Sequence, residues 1–289
     1  MTIHSLSISS SEMKKFLIYT VTFVCINMLL IYAQDTYTYY TGAYRDHVAG
    51  AEIYQAKQAA KQKKKVKKLL IGDSVCRQMY GVGQVGDSIW SLACNQAVTM
   101  AGHYCLIHNF ITTNKDSLPQ EIILSFDSKS FANNLDKYTF QYFLKPFPDK
   151  EYQPLLTNRH LLECEKQIPY RWAAHMPIIR CNSWAPEYEL PQEEYALVSP
   201  ISSDYLDSIC TLAGKAGIQV HMYCNPMRES RQQTFVDIYQ KALNAGETQK
   251  HQTLWTEWYQ SATYLPDSLF HDFVHFNKQH IPEDPYLLK

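Results

Sequence analysis

Three side chains in this sequence have the types and spacing for nucleophilic acyl chemistry. Ser74 follows the run VKKLLI (66–71) through Gly72 and Asp73. A serine hydroxyl is a weak nucleophile until a base takes its proton, and that base needs a third group to orient it. The segment His271-Asp272-Phe273-Val274-His275 supplies both. With Asp272 three residues before His275, one turn can set the carboxylate beside the imidazole while the other ring nitrogen faces the serine. At a strand-to-helix junction the Ser74 N–H can point at a developing oxyanion. Two blander assignments compete. Asp73 or Ser74 can be a helix N-cap. His271 and His275 form an i, i+4 pair that can hold a metal if Asp272 or His280 joins them.

The elements that must position these groups follow from hydrophobic period. Short apolar runs predict strands at 66–71, 88–95, 121–126 and 218–223, with a last strand at 253–259. Helical patterns fall at 98–112, 203–216 and 234–244. Strands alternating with helices imply an α/β fold, a mostly parallel sheet covered on both faces. Ligands of such sheets bind beyond the carboxyl ends of the strands. The polar clusters there are Gly72-Asp73-Ser74, Asn95-Gln96, Asp127-Ser128 and Asn225. They are expected to converge on one rim, which makes Asn95, Asp127 and Ser128 candidates for substrate contact. Residues 145–200, rich in Pro, Tyr and Trp, break the rhythm and read as an insertion over one end of the sheet.

The N-terminus carries a different signal. The stretch FLIYTVTFVCINMLLIYA (16–33) has no charge, with Lys14 and Lys15 before it and Tyr37, Tyr39 and Tyr40 after it. Its length is near the lower limit for a bilayer span, and interfacial tyrosines suit one. It reads as a transmembrane signal anchor, with 1–15 as a cytoplasmic tail and the bulk of the chain outside. A cleaved signal peptide ending near Ala33 is the other reading. Residues 34–65 then form a helical, solvated linker. The run KQAAKQKKKVKK (57–68) carries seven lysines and suits either a spacer or contact with an anionic lipid or polymer. The α/β domain occupies 66–289.

Composition sets limits. Over 289 residues the formal net charge is -1, which argues against a nucleic-acid partner. No two of the 8 cysteines are spaced Cys-x-x-Cys, so a zinc knuckle or thioredoxin-type motif is not indicated. Most are expected to be small buried apolar residues. No cofactor is called for.

Gly72-Asp73-Ser74 after a first strand, with Asp272-x-x-His275 near the C-terminus, resembles the SGNH (GDSL-like) hydrolases over 66–289. The resemblance implies that fold, with Ser74 as nucleophile, His275 as base and Asp272 as its partner. It implies a second oxyanion donor at Ala97, beside Asn95, where the family has glycine. The family's third block, Gly-x-Asn-Asp, is replaced by Ser125-Phe126-Asp127-Ser128, with Asn133-Asn134 further on. These departures and the anchor are similar to divergent envelope members, such as alginate O-acetylation proteins and the teichoic-acid D-alanylation factor. The function implied is an esterase or O-acyltransferase on an ester-bearing cell-envelope glycan, working with envelope acylation partners. The alternative is a catalytically silent domain of the same fold that binds a glycan or scaffolds a complex.

Overall fold

Leu69 and Ile71 bury against one face of a strand while Leu70 joins a separate cluster on the other, the period of two that a sheet covered on both sides demands. The computed structural model describes residues 10–41, 48–95, 98–132, 153–159 and 196–277, with 279 and 281. Strands β1 (Lys68–Gly72), β2 (Val82–Val85), β3 (Ile89–Leu92), β4 (Glu121–Phe126) and β5 (Gln219–Cys224) form one sheet in the order β2-β3-β1-β4-β5. Four of these strands are parallel; β2 turns back antiparallel on β3 as a hairpin. The mostly parallel α/β sheet flanked by helices is therefore as expected, apart from the hairpin. Among the parallel strands the order reverses beside β1, which opens a crevice at its carboxyl end.

Helices α2 (Val48–Ala60), α3 (Ser74–Tyr80), α4 (Thr99–Thr113), α5 (Lys129–Ala132), α6 (Pro200–Ala216), α7 (Gln232–Asn244) and α8 (Gln252–Gln260) complete the described domain. The larger apolar cluster joins Leu69, Ile71, Ile122 and Leu124 to residues of α2, α4 and α6. On the opposite face, Cys76 of α3 packs with Leu70, Ile89 and Ile123. The ends of α6 follow capping chemistry. Ser199 accepts from the Ser202 N–H, Pro200 opens the first turn, and Gly217 closes the helix in the left-handed region.

The segment 253–259 is a helix, not the last strand. Its Thr, Leu and Trp content favours a strand by propensity, but Trp255 and Trp258 decide the matter. Three residues apart, they share a helix face and both bury, edge-on to Phe131. A strand would send them to opposite sides. The helix also replaces a strand at the sheet edge. Glu257 accepts from the Met222 N–H at 3.0 Å and Ser261 Oγ from the Cys224 N–H at 2.9 Å. Both donors belong to β5, so α8 shields an edge that would otherwise invite pairing.

The stretch expected to be a solvated linker is part of the core. Ile53, Ala56, Ala59 and Ala60 of α2 are almost fully buried, on a stripe that helical spacing aligns. Trp90 donates to the Ala59 carbonyl at 3.1 Å, and Asn114 donates to the Gln62 carbonyl at 3.0 Å. Lys64 lies over the Trp90 ring. Lys61, Lys63, Lys65 and Lys67 do face solvent.

Helix α1 (Ser10–Thr41) contains a 24-residue stretch, Ser10–Ala33, with mean hydropathy 2.1 and no buried residue. It is long and apolar enough to cross a membrane, and a signal sequence has the same profile. The proposed insertion at 145–200 lies almost wholly outside the described residues. Of the described cysteines, Cys76, Cys94, Cys105 and Cys224 are buried, as small core residues. Burial pushes the Cys94 thiol up to about 12.

Candidate active site

Strand β1 ends at Gly72, and helix α3 begins two residues later at Ser74. No side chain fits at Gly72. A Cβ there would collide with Cys76 and lie 2.5 Å from the Ser125 carbonyl oxygen. That close approach lets the strand turn directly into the helix that presents Ser74. Asp73 is the N-cap, its Oδ1 accepting from the Val75 and Cys76 N–H groups at 3.0 and 3.3 Å. Those two donors are therefore not free to meet an oxyanion.

Three of the residues marked in the sequence come together. His275 Nε2 lies 2.8 Å from Ser74 Oγ, and His275 Nδ1 lies 2.9 Å from Asp272 Oδ2. Asp272 builds the turn that makes this possible. Its Oδ1 accepts from both the Val274 and the His275 N–H at 2.8 Å, so one oxygen shapes the loop and the other orients the ring. Partial burial raises the Asp272 carboxyl, but the two N–H groups and the imidazole outweigh it and hold the group down at about 2. An ionised Asp272 must accept, so the Nδ1 position carries the proton. Nε2 is then left as the acceptor for the serine hydroxyl. Both ring nitrogens being engaged, His275 has no position left for a metal in this geometry, and His280 lies outside the described residues.

The C-terminal loop is docked from several sides. Phe276 and Phe270 pack with Val75 of α3. Arg228 Nη1 donates to the Asp272 carbonyl at 3.3 Å and Nη2 to Asp267 at 2.9 Å. The exposed Phe273 ring lies under the Lys129 ammonium and the Arg231 guanidinium, at 4.7 and 4.8 Å.

Ser74 opens into a cleft of about 840 Å³. Arg77, Gln78, Gly81 and Val82 line it from the side of Ser74, and His271, Asp272, His275, Phe276 and Asn277 from the C-terminal loop. The third wall is α2, through Glu52 and Gln55. Arg77 is held by both, pairing with the Glu52 carboxylate and donating to Gln55 Oε1 at 2.9 Å. The wall from α2 has no warning in the sequence beyond the Ile/Ala stripe that docks the helix.

The other candidates separate. Asp127 and Ser128 are buried and do not line the cleft. The Asp127 carboxylate takes the buried Arg231, at 2.7 Å to Nη1, and the Lys129 N–H at 3.0 Å. Ser128 Oγ lies 3.4 Å from Arg231 Nη2. Their expected substrate contact thus gives way to an internal role, because a buried guanidinium demands a buried anion. Asn95 is half-buried, its carbonyl accepting from the Val98 N–H, and it is not part of the cleft lining. Ala97, Asn133 and Asn134 lie outside the described residues.

The polar residues that follow β1, β4 and β5 converge, beneath Ser74. Asp73 Oδ2 accepts from the Asp127 N–H and Ser130 Oγ, both at 2.7 Å, and Oδ1 also from Asn225 Nδ2 at 2.8 Å. Asn225 in turn accepts from Ser125 Oγ at 2.6 Å. The carboxylate of Asp73 therefore ties β1, β4 and the end of β5 together. Burial, and then the Asp127 charge, push it up to about 6 from the usual 3.8, against the pull of these donors. In the folded chain it holds its proton to higher pH than in the unfolded chain. Its contribution to stability is full below about 3.8, declines as pH rises to about 6 and is constant above. Urea unfolding from pH 4 to 7 should show that decline in wild type and lack it in Asp73→Asn.

No family model matches the chain, and neither does any curated protein or solved structure.

Proposed function

We propose that this chain is a serine-dependent acyl-ester enzyme with Ser74 as nucleophile, His275 as general base and Asp272 as the group that orients it. The observation that carries the reading is the unbroken series Asp272–His275–Ser74, at 2.9 and 2.8 Å, opening on the cleft. Ser74 Oγ attacks an ester carbonyl while His275 Nε2 takes its proton. The leaving alcohol receives that proton as the tetrahedral intermediate collapses to an acyl-serine. His275 then activates either water, giving an esterase, or a sugar hydroxyl, giving an O-acyltransferase. The order of the parallel strands, with Ser74 after the central β1, supports reading the fold as that of the SGNH hydrolases. A cell-envelope glycan as acceptor, a membrane-anchored domain on the outer side and acylation partner proteins follow from the apolar N-terminal helix and that resemblance.

A second reading is a silent domain that binds a glycan or scaffolds an envelope complex. It is favoured by the residues after β4, where Asp127 and Ser128 turn inward to Arg231. A fluorophosphonate probe separates the two. Labelling of wild type that disappears in Ser74→Ala is the result expected of an enzyme. An unlabelled wild type that still binds envelope glycan, as does Ser74→Ala, would sink the enzymatic reading.

A further inference from the structure

The two halves of the triad are assembled differently. Asp272 and His275 belong to one turn, which the Asp272 carboxylate builds from its own neighbours. Ser74 comes from α3, 201 residues away in sequence. The Asp–His contact is therefore local, while the Ser–His contact depends on how the C-terminal loop seats against α3. The apolar packing of Phe270 and Phe276 on Val75 brings the two together. Such packing is non-directional and tolerates sliding. A hydrogen-bonded link with fixed direction does not.

Gln78 provides that link. It stands four residues after Ser74, hence one turn further along the same face of α3. Its side-chain amide grips the residue next to His275 from both sides. Nε2 donates to the Phe276 carbonyl at 2.7 Å, and Oε1 accepts from the Phe276 N–H at 2.8 Å. An amide matched donor-to-acceptor and acceptor-to-donor with one residue's backbone imitates a rung of a β-ladder. Both bonds hold only at one register of the loop along the helix. The nucleophile and the clamp thus project from one rigid helix, and the base is adjacent to the clamped residue. We propose that Gln78 is a positioning residue that sets the register between Ser74 Oγ and His275 Nε2, which the apolar contacts alone leave loose. The proposal rests on the serine-enzyme reading of Ser74.

The test uses Gln78→Met, which keeps the volume and loses both bonds, and Gln78→Glu, which keeps the acceptor and loses the donor. The rate of fluorophosphonate labelling is followed against pH, the melting temperature by circular dichroism, and exchange of the Phe276 amide by hydrogen–deuterium measurement. Gln78→Met should label about ten- to a hundredfold more slowly, the size of effect a misplacement near 1 Å produces. The shape of its pH profile should be unchanged, since the Asp272–His275 turn is intact. Gln78→Glu should label no faster than Gln78→Met, since its second oxygen faces the Phe276 carbonyl, acceptor to acceptor. The Phe276 amide should exchange faster in Gln78→Met while amides of the sheet do not. A purely structural role would instead lower the melting temperature and reduce labelling only in proportion to the folded fraction. Wild-type rates in Gln78→Met, beside a dead Ser74→Ala, would overturn the proposal. If wild type takes no label, the serine reading fails, and unchanged Phe276 exchange in Gln78→Met overturns the clamp as well.

Discussion

Replacing His275 with glutamine is expected to lower the rate of Ser74 acylation by up to about 10⁶-fold with little loss of stability. The size follows from what the imidazole does. Without a proton acceptor 2.8 Å from Oγ, the serine must lose its proton to water during attack. Asp272→Asn should cost about 10⁴-fold, although it changes one atom and retains the Oδ1 that accepts the Val274 and His275 N–H groups. In the variant an amide N–H₂ meets the Nδ1 proton. Either the ring takes the other tautomer, putting its hydrogen toward Ser74, or the contact is lost. Both remove the base from the serine. The double variant His275→Gln/Asp272→Asn should be no slower than His275→Gln alone, since the aspartate acts through the histidine. Pre-steady-state release of a chromogenic leaving group from an activated acetyl ester checks all three. Additive losses would count against a shared pathway.

Arg231→Ala is expected to destabilise the domain by about 3–5 kcal/mol. Asp127 and Arg231 are each almost fully buried and meet at 2.7 Å. Removing the guanidinium leaves a carboxylate with no cation, and buried beside the second carboxylate at Asp73. For a domain of this size the loss corresponds to a drop in melting temperature of roughly 6–20 °C. Pairing the change with Asp127→Asn should recover part of the loss, because no net charge then stays buried. Thermal unfolding followed at pH 7 distinguishes the outcomes. A double variant no more stable than Arg231→Ala would show that packing of the guanidinium dominates. The guanidinium also covers Phe273, between Asp272 and Val274, so some loss of labelling should accompany the loss of stability.

What the sequence made legible is what is local. The Asp272–His275 pair could be read because the carboxylate and the ring belong to one turn. Ser74 could be read because a short strand, a glycine too crowded for any side chain and a capping aspartate adjoin it. The sheet was legible where apolar runs are short and bounded, as in β4. Long-range pairings were not. Nothing near Gln78 or Arg231 announces partners 198 and 104 residues away. Asp127 stands at a strand end, where a ligand contact is the natural expectation, and only the buried arginine explains its inward turn. In α8, aromatic content pointed to a strand, while the three-residue spacing of Trp255 and Trp258 carried the better signal. In α2, lysines drew attention away from the Ile53–Ala60 stripe.

That α2 belongs to the cleft has a consequence for the working radius of the site. Helix α1 runs about 12 Å beyond Ala33, and the six residues from Thr41 to Val48 can reach at most about 25 Å when fully drawn out. Glu52 is one turn further on. With Ser10–Ala33 seated in a bilayer, the α2 wall of the cleft is on a leash no longer than about 45 Å, whatever path the chain takes. On the proposed reading of an ester substrate outside the membrane, an ester on a lipid-linked or newly exported chain lies within that radius. One on the far side of a thick polymer layer does not, unless the polymer folds back toward the membrane.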